Sequence, residues 1–334
     1  MTPRELALEA FAKRQPPVVP FQLDLTDAVR ERLSKHFNDP HFEDKIGNSL
    51  AQERNELIEK IGPSISRDMF GVVWDHDQQG DFGVVKNPQL TDADFGSYQF
   101  PAIDEAFIRA KCERLVAKRS RQFTMYIIGF SLFERAWSLR GMEDMLIDFA
   151  LNPEFAEALL DRITDYNLAV IDHISEYPID CVFFGDDWGQ QKGLIMGPAH
   201  WRRFLKPRLA RMYGRAKEKG LMVAQHSCGD ISEVFGDLVE MGLDIYNTFQ
   251  PEVYDVAEMK RLYGKQATFY GGISTQRLLP YATPDEVKAE TRRLMGIVGK
   301  GGGYIVAPTH AIPDDVPTEN ILAFLDVVEN QGGK

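Results

Sequence analysis

Cysteine is scarce: Cys112, Cys181 and Cys228 are the only ones in 334 residues. An odd count without framework spacing argues against a disulfide scaffold and fits a reducing compartment. No apolar run approaches the roughly 18 residues needed to cross a bilayer. The opening stretch, Met1 to Gln15, is a polar amphipathic helix rather than an apolar signal core. A cytoplasmic protein with no membrane role is therefore expected. Positive charge is also in deficit, with 38 Lys and Arg against 50 Asp and Glu and a net charge of −12. Such a surface repels nucleic acid and leaves a small molecule or another protein as the partner. Nucleotide-binding glycine motifs are missing: no Gly-x-Gly-x-x-Gly follows the first candidate strand, and no Walker loop occurs. Gly301-Gly302-Gly303 precedes a candidate strand instead of following one, so it reads as a tight turn.

What is present is a large apolar fraction, 44%, enough for one domain over residues 1–334 with a single core. Short β-branched or aromatic runs mark eight candidate strands: Val18–Leu23, Phe70–Asp75, Phe123–Gly129, Cys181–Asp186, Leu221–Cys228, Ile245–Gln250, Thr268–Ile273 and Tyr304–His310. Helical periodicity fills most intervals. It is clearest in Pro153–Tyr177, where Phe155, Leu159, Ile163, Tyr166, Val170 and Ile174 recur at three- and four-residue steps behind Asn152 and Pro153. Thr283 to Glu286 forms a capping box. Strand-helix alternation predicts a parallel α/β sheet, and eight strands favour a single (βα)8 TIM barrel with an N-terminal helical extension. The polar stretch Asp75–Phe100 is expected to grow as an active-site loop.

In such a barrel the chemistry lies where the strands end. The fifth candidate strand ends in Gln225-His226-Ser227-Cys228, and the two-residue period puts His226 and Cys228 on one side. An imidazole and a thiol at one mouth suit zinc, which accepts nitrogen and sulfur donors; the alternative is inert packing of a buried thiol. His310, ending the eighth strand, is a candidate third metal ligand or a general acid. Asp186 and Asp187 follow the fourth strand, and adjacent carboxylates suit proton transfer or completion of a metal shell. Asp24, Trp137, Trp188 and Gln250 are candidate substrate contacts. Helix caps, Asx turns and core tryptophans are the structural alternatives.

These segments resemble the uroporphyrinogen decarboxylase superfamily, which contains that decarboxylase and corrinoid-linked methyltransferases. The resemblance is carried by Ile128-Gly129-Phe130, Gly185-Asp186-Asp187-Trp188 with Gly197-Pro198, His226-Ser227-Cys228-Gly229, Gly271-Gly272-Ile273, His310 to Pro313 and Pro317 to Asn320. The decarboxylase clamps its substrate's carboxylates with arginines after the first strand. Here Pro20 to Asp27 is acidic, which would repel an octa-acid tetrapyrrole. The methyltransferase branch binds zinc through a His-x-Cys pair and a later cysteine, and His310 stands at that later position.

The resemblance thus implies a zinc-dependent methyltransferase of the O-demethylase type. Zinc held by His226, Cys228 and His310 would polarise the leaving heteroatom of a small methylated substrate, such as a methoxylated aromatic. A cobamide carried by a separate corrinoid protein would take the methyl group. Asp186, Asp187 and His310 are the expected proton-transfer groups. Two alternatives stay open: a metal-free decarboxylase or lyase acting on a carboxylated small molecule through Asp186, Asp187 and His310, and a non-catalytic barrel. A homodimer is the expectation from the frequency of twofold oligomers.

Overall fold

The computed structural model describes residues 1–77 and 83–331. Its centre is a curled, all-parallel sheet of seven strands: β1 (Leu50–Arg54), β2 (Phe123–Ile128), β3 (Cys181–Gly185), β4 (Met222–His226), β5 (Ile245–Asn247), β6 (Thr268–Ile273) and β7 (Tyr304–Pro308). Each strand pairs with its successor in chain order. Long connections carry the helices that cover the outer face. In Pro153–Ile174, Phe155, Leu159, Ile163, Tyr166, Val170 and Ile174 are all buried, as the periodicity predicts. Each such side chain contributes about 1.5–3 kcal/mol of transfer free energy. The capping box of Thr283 and Glu286 is formed. Asn152 stands at the N-cap position without capping, because its amide bonds Asp148 instead.

Two of the eight expected strands differ. Residues 20–23 run beside β7 as an isolated parallel bridge, Phe21 to Val306, with Gln22 N donating to Val306 O at 3.0 Å. On the other side Ser49 N donates to Phe21 O at 3.0 Å. Pro20 has no N–H to give a ladder. Side chains replace the missing backbone bonds, with Gln22 Oε1 accepting from Leu50 N and Asn48 Oδ1 from Leu23 N. Phe70–Asp75 is not a member of the parallel sheet. Val73–Asp75 lies instead in a four-stranded antiparallel sheet with Ile58–Lys60, Ile65–Asp68 and Val84–Asn87.

The place beside β2 belongs to β1, whose Leu-Ala-Gln-Glu-Arg sequence hides it. Only Leu50 and Ala51 are buried, while Gln52 and Arg54 line a polar cavity and Glu53 pairs with Lys111 and Arg114. The expected active-site loop of Asp75–Phe100 includes residues 78–82, which lie outside the described residues. None of its described residues lines that cavity. The small sheet is fastened to the rest by Arg135, which bonds Asp68 at 2.6 Å and stacks on Phe70 at 4.0 Å. No helix among the described residues is long and apolar enough to cross a membrane.

At the amino-terminal ends of the strands, two lysines are enclosed together. Lys13 donates to Phe11 O and Thr268 Oγ1, and Lys260 donates to Gly302 O. Burial pulls each from the usual 10.5 down to about 8. The folded chain therefore releases these protons at lower pH than the unfolded chain does. Stability is accordingly expected to rise as pH increases from about 8 towards 10.5, by at most roughly 3 kcal/mol per lysine, reduced by solvent screening of these partly exposed groups. Urea midpoints across that window would show it, with a flatter dependence in Lys260→Met.

Candidate active site

The carboxyl ends of the strands open into a cavity of about 1220 Å³ walled by Asp24, Arg54, Phe130, Glu134, Asp187, His226, Tyr270 and His310 among others. His226 ends β4. Its Nδ1 lies 2.6 Å from Asn247 Oδ1, and the Asn247 amide donates to Tyr270 O at 3.0 Å. That second bond orients the amide so that its oxygen faces the imidazole. Nδ1 therefore carries the proton and Nε2 presents its lone pair to the cavity.

Around Nε2 stand Asp187 Oδ1 at 3.5 Å and Cys228 Sγ at 3.6 Å. The three ligand atoms lie within 4.8 Å of one another. Donors about 2.0–2.3 Å from a tetrahedral zinc would sit roughly 3.5 Å apart. Burial lowers the pKa of His226, with His310 and Arg54 acting in the same direction and Asp187 against it. A neutral imidazole is the form a metal requires.

The trio is assembled by two turns that touch. Gly189 and Gly229 face each other so closely that a Cβ on Gly189 would stand 2.6 Å from Cys228 O, and Gly229 adopts a positive φ of 76°. This approach lets Cys228 N donate to Asp187 Oδ1 at 2.7 Å. Gln250 Oε1 accepts from Gly229 N at 2.6 Å from behind.

Several expected site residues take other places. Asp186 is fully buried. Its carboxylate accepts from the backbone N–H groups of Leu132, Phe133 and Glu134 and from the Trp188 indole, fixing the start of the helix Phe133–Arg140. Burial pushes it up to about 6 against those bonds. It faces away from the cavity, which leaves Asp187 as the member of the pair at the site. Trp188 is buried against Trp201, and Gln250 supports a turn; neither lines the cavity. Trp137 packs behind Phe130, with centroids 5.9 Å apart. Of these two, Phe130 is the one that lines the cavity.

The described residues that could hold a metal together here are Asp187, His226 and Cys228; His310, expected as the third ligand, is not in that group. The His310 ring faces His226 across the cavity at 5.9 Å between centroids. Asp24 lines the wall, where it accepts from Tyr270 Oη at 2.6 Å and Gln22 Nε2 at 3.0 Å.

Among the cavity residues that the sequence did not single out are Arg54, Glu134, Asn247 and Tyr270. Glu134 is half-buried at the wall, and burial together with the charges of Asp187 and Asp186 holds its carboxyl well above the ordinary range. Asn247 carried a usable signal, a polar residue at the end of the Ile245-Tyr246-Asn247 run. Arg54 carried none, because its strand was not legible.

Residues 68–331 match the profile of the uroporphyrinogen decarboxylase (URO-D) family. The chain belongs to that family. Among similar proteins is the methylated-thiol–coenzyme M methyltransferase of Methanosarcina mazei, 24% identical over 97% of this chain and 88% of the relative. The methylcobamide:CoM methyltransferase MtaA of Methanosarcina barkeri is 26% identical over 51% of this chain, a match spanning 47% of that protein. A uroporphyrinogen decarboxylase of Coxiella burnetii is 22% identical over 74% of this chain and 69% of its own. The solved structure of a methyltransferase from Methanosarcina mazei superposes with a TM-score of 0.74 at 16% identity, covering 99% of both chains. That likeness establishes the shared fold. The proteins similar to this chain thus include both decarboxylases and methyltransferases.

Proposed function

We propose that this URO-D family protein is a zinc-dependent methyltransferase that moves a methyl group from a small methylated substrate to a cobamide carried by a partner corrinoid protein. The observation that carries this reading is the trio of His226 Nε2, Cys228 Sγ and Asp187 Oδ1, with the imidazole already locked by Asn247. Nitrogen, sulfur and oxygen donors at this spacing fit zinc, and an orienting amide behind a ligating histidine is the usual support. When bound, zinc would supply Lewis acidity towards the leaving heteroatom. The methyltransferase relatives favour this branch of the family.

The residues around the trio define the rest. Phe130, Phe183 and Tyr270 give flat apolar walls suited to a methoxylated ring. Transfer would break the methyl–oxygen bond, leaving its electron pair on oxygen, and the partner's cob(I)amide would supply the pair for the new cobalt–carbon bond. The departing phenolate would then take a proton, a role we assign to His310, across the cavity from His226. Closure of the sheet into a barrel by residues 20–23 belongs to the same reading. The metal-free decarboxylase alternative loses Asp186, which is committed to the helix start.

The test is methyl transfer from a methoxylated aromatic to free cob(I)alamin, followed by the visible spectrum of the cobalt product, with zinc-loaded and chelated protein. Transfer that requires zinc is the expected result. A protein that retains no zinc after reconstitution, or transfers no methyl group when loaded, overturns the proposal.

A further inference from the structure

The cation at the strand ends is unaccounted for by methyl transfer alone. Arg54 ends β1, in register with Ile127 of β2, and lines the same cavity as His226, Asp187 and Tyr270. Of the described arginines that line this cavity, Arg30, Arg54 and Arg121, Arg54 is the one that ends a strand of the parallel sheet, while Arg30 is held by Asp27 and Glu43. We propose that the methyl donor is a methoxylated aromatic acid whose carboxylate is taken by Arg54, an inference that rests on the methyl-transfer reading above.

Three observations support it. The present partner of Arg54 is Glu56 at 3.5 Å, with the arginine side chain 56% exposed. So long and open an ion pair contributes little, and a carboxylate meeting the guanidinium fork in two parallel bonds can displace it. The neighbouring carboxylates are already engaged: Asp24 by Tyr270 and Gln22, and Asp187 by the Cys228 amide. Finally, Phe183 lies within 6.4 Å of Tyr270 and 6.3 Å of His226, ring centre to ring centre. An apolar ring anchored at Arg54 would lie along these faces, with its far end towards the His226, Cys228 and Asp187 trio.

Glu56 sets the strength of the anchor. Its carboxylate fits against Gly129, where a Cβ would collide with it, so its position beside Arg54 is built into the wall. Removing its charge frees the guanidinium.

Calorimetric titration of the protein with benzoate and with benzamide separates charge from shape, since the two differ in little else. The wild type is expected to bind benzoate about tenfold more tightly than benzamide, a charge-assisted preference. In Arg54→Gln the two affinities should become equal, and in Glu56→Gln benzoate should tighten while benzamide stays unchanged. Zinc content, measured on the same samples, should be the same in all three proteins. No benzoate binding by the wild type, equal binding of the two probes, or a preference that survives Arg54→Gln overturns the proposal. A benzoate preference that depends on Arg54 in a protein that carries no zinc would overturn the metal reading and leave this anchor standing.

Discussion

Cys228→Ala is expected to remain folded, to lose stoichiometric zinc and to transfer methyl groups at least about a thousandfold more slowly. The thiol is only partly buried, beside His226 Nε2 at 3.6 Å. Its sulfur is one of three donors, and two remaining donors, an imidazole and a carboxylate, do not hold zinc at catalytic occupancy. The other thiols cannot substitute. Cys112 and Cys181 are completely buried, and burial pushes both thiols well above the ordinary range, that of Cys112 up to about 12. Metal content by mass spectrometry and a chelator competition would read the loss. A graded version tests the support: Asn247→Ala removes the acceptor from His226 Nδ1 and should weaken zinc by roughly 10–100-fold without abolishing it. His310→Ala should keep the metal, because Asp187 is the nearer third donor. Zinc retained in Cys228→Ala would show that the trio is not the site.

Gly229→Ala is expected to destabilise the fold by about 2–4 kcal/mol and to lower zinc affinity at the same time. Two costs combine. A side chain is strained at a φ of 76°, and its Cβ would collide with the backbone of Gly189 and Gln190. Relief requires the two turns to separate, which draws Asp187 away from the Cys228 amide that holds it. Gly214→Ala is the control, since a Cβ there meets nothing within 4 Å inside the helix Lys206–Glu218. That change should stabilise by about 0.5–1 kcal/mol. Urea denaturation with zinc titration would separate the two effects. A Gly229→Ala protein of wild-type stability and affinity would refute the account of how the trio is assembled.

Much of this was legible in the sequence where apolar periodicity and local chemistry agree. Six of the eight expected strands appear in the parallel sheet, because their runs are buried on both faces, as in Phe123–Ile128. β1 was not legible because its inner face meets a polar cavity, and its Gln52 and Arg54 give no hydrophobic signal. Val72-Val73-Trp74 misled for the opposite reason: it is an apolar run, but it serves a small antiparallel sheet. His226 and Cys228 could be placed side by side from the two-residue period alone. Which of Asp186 and Asp187 joins them could not, since adjacent residues at a turn diverge according to contacts far along the chain. Asp186 is drawn to the amides of residues 132–134, and Asp187 to the amide of Cys228. Gln250 and Trp188 follow the same logic, polar or aromatic residues at strand ends that were recruited to hold the frame.

The small antiparallel sheet, tied in through Arg135, also touches the cavity wall at one remove. Trp74 packs edge-on against Phe130 at 5.3 Å and against Trp137 at 6.1 Å. It contributes nothing to the His226, Cys228 and Asp187 trio, and it is threaded between β1 and β2 without entering their ladder. Changes in it can therefore reshape the face offered to a substrate while the donor atoms keep their spacing. Selection for a new substrate and selection for the same chemistry would then act on separate parts of the chain, a division that lets one scaffold change its diet without relearning its reaction.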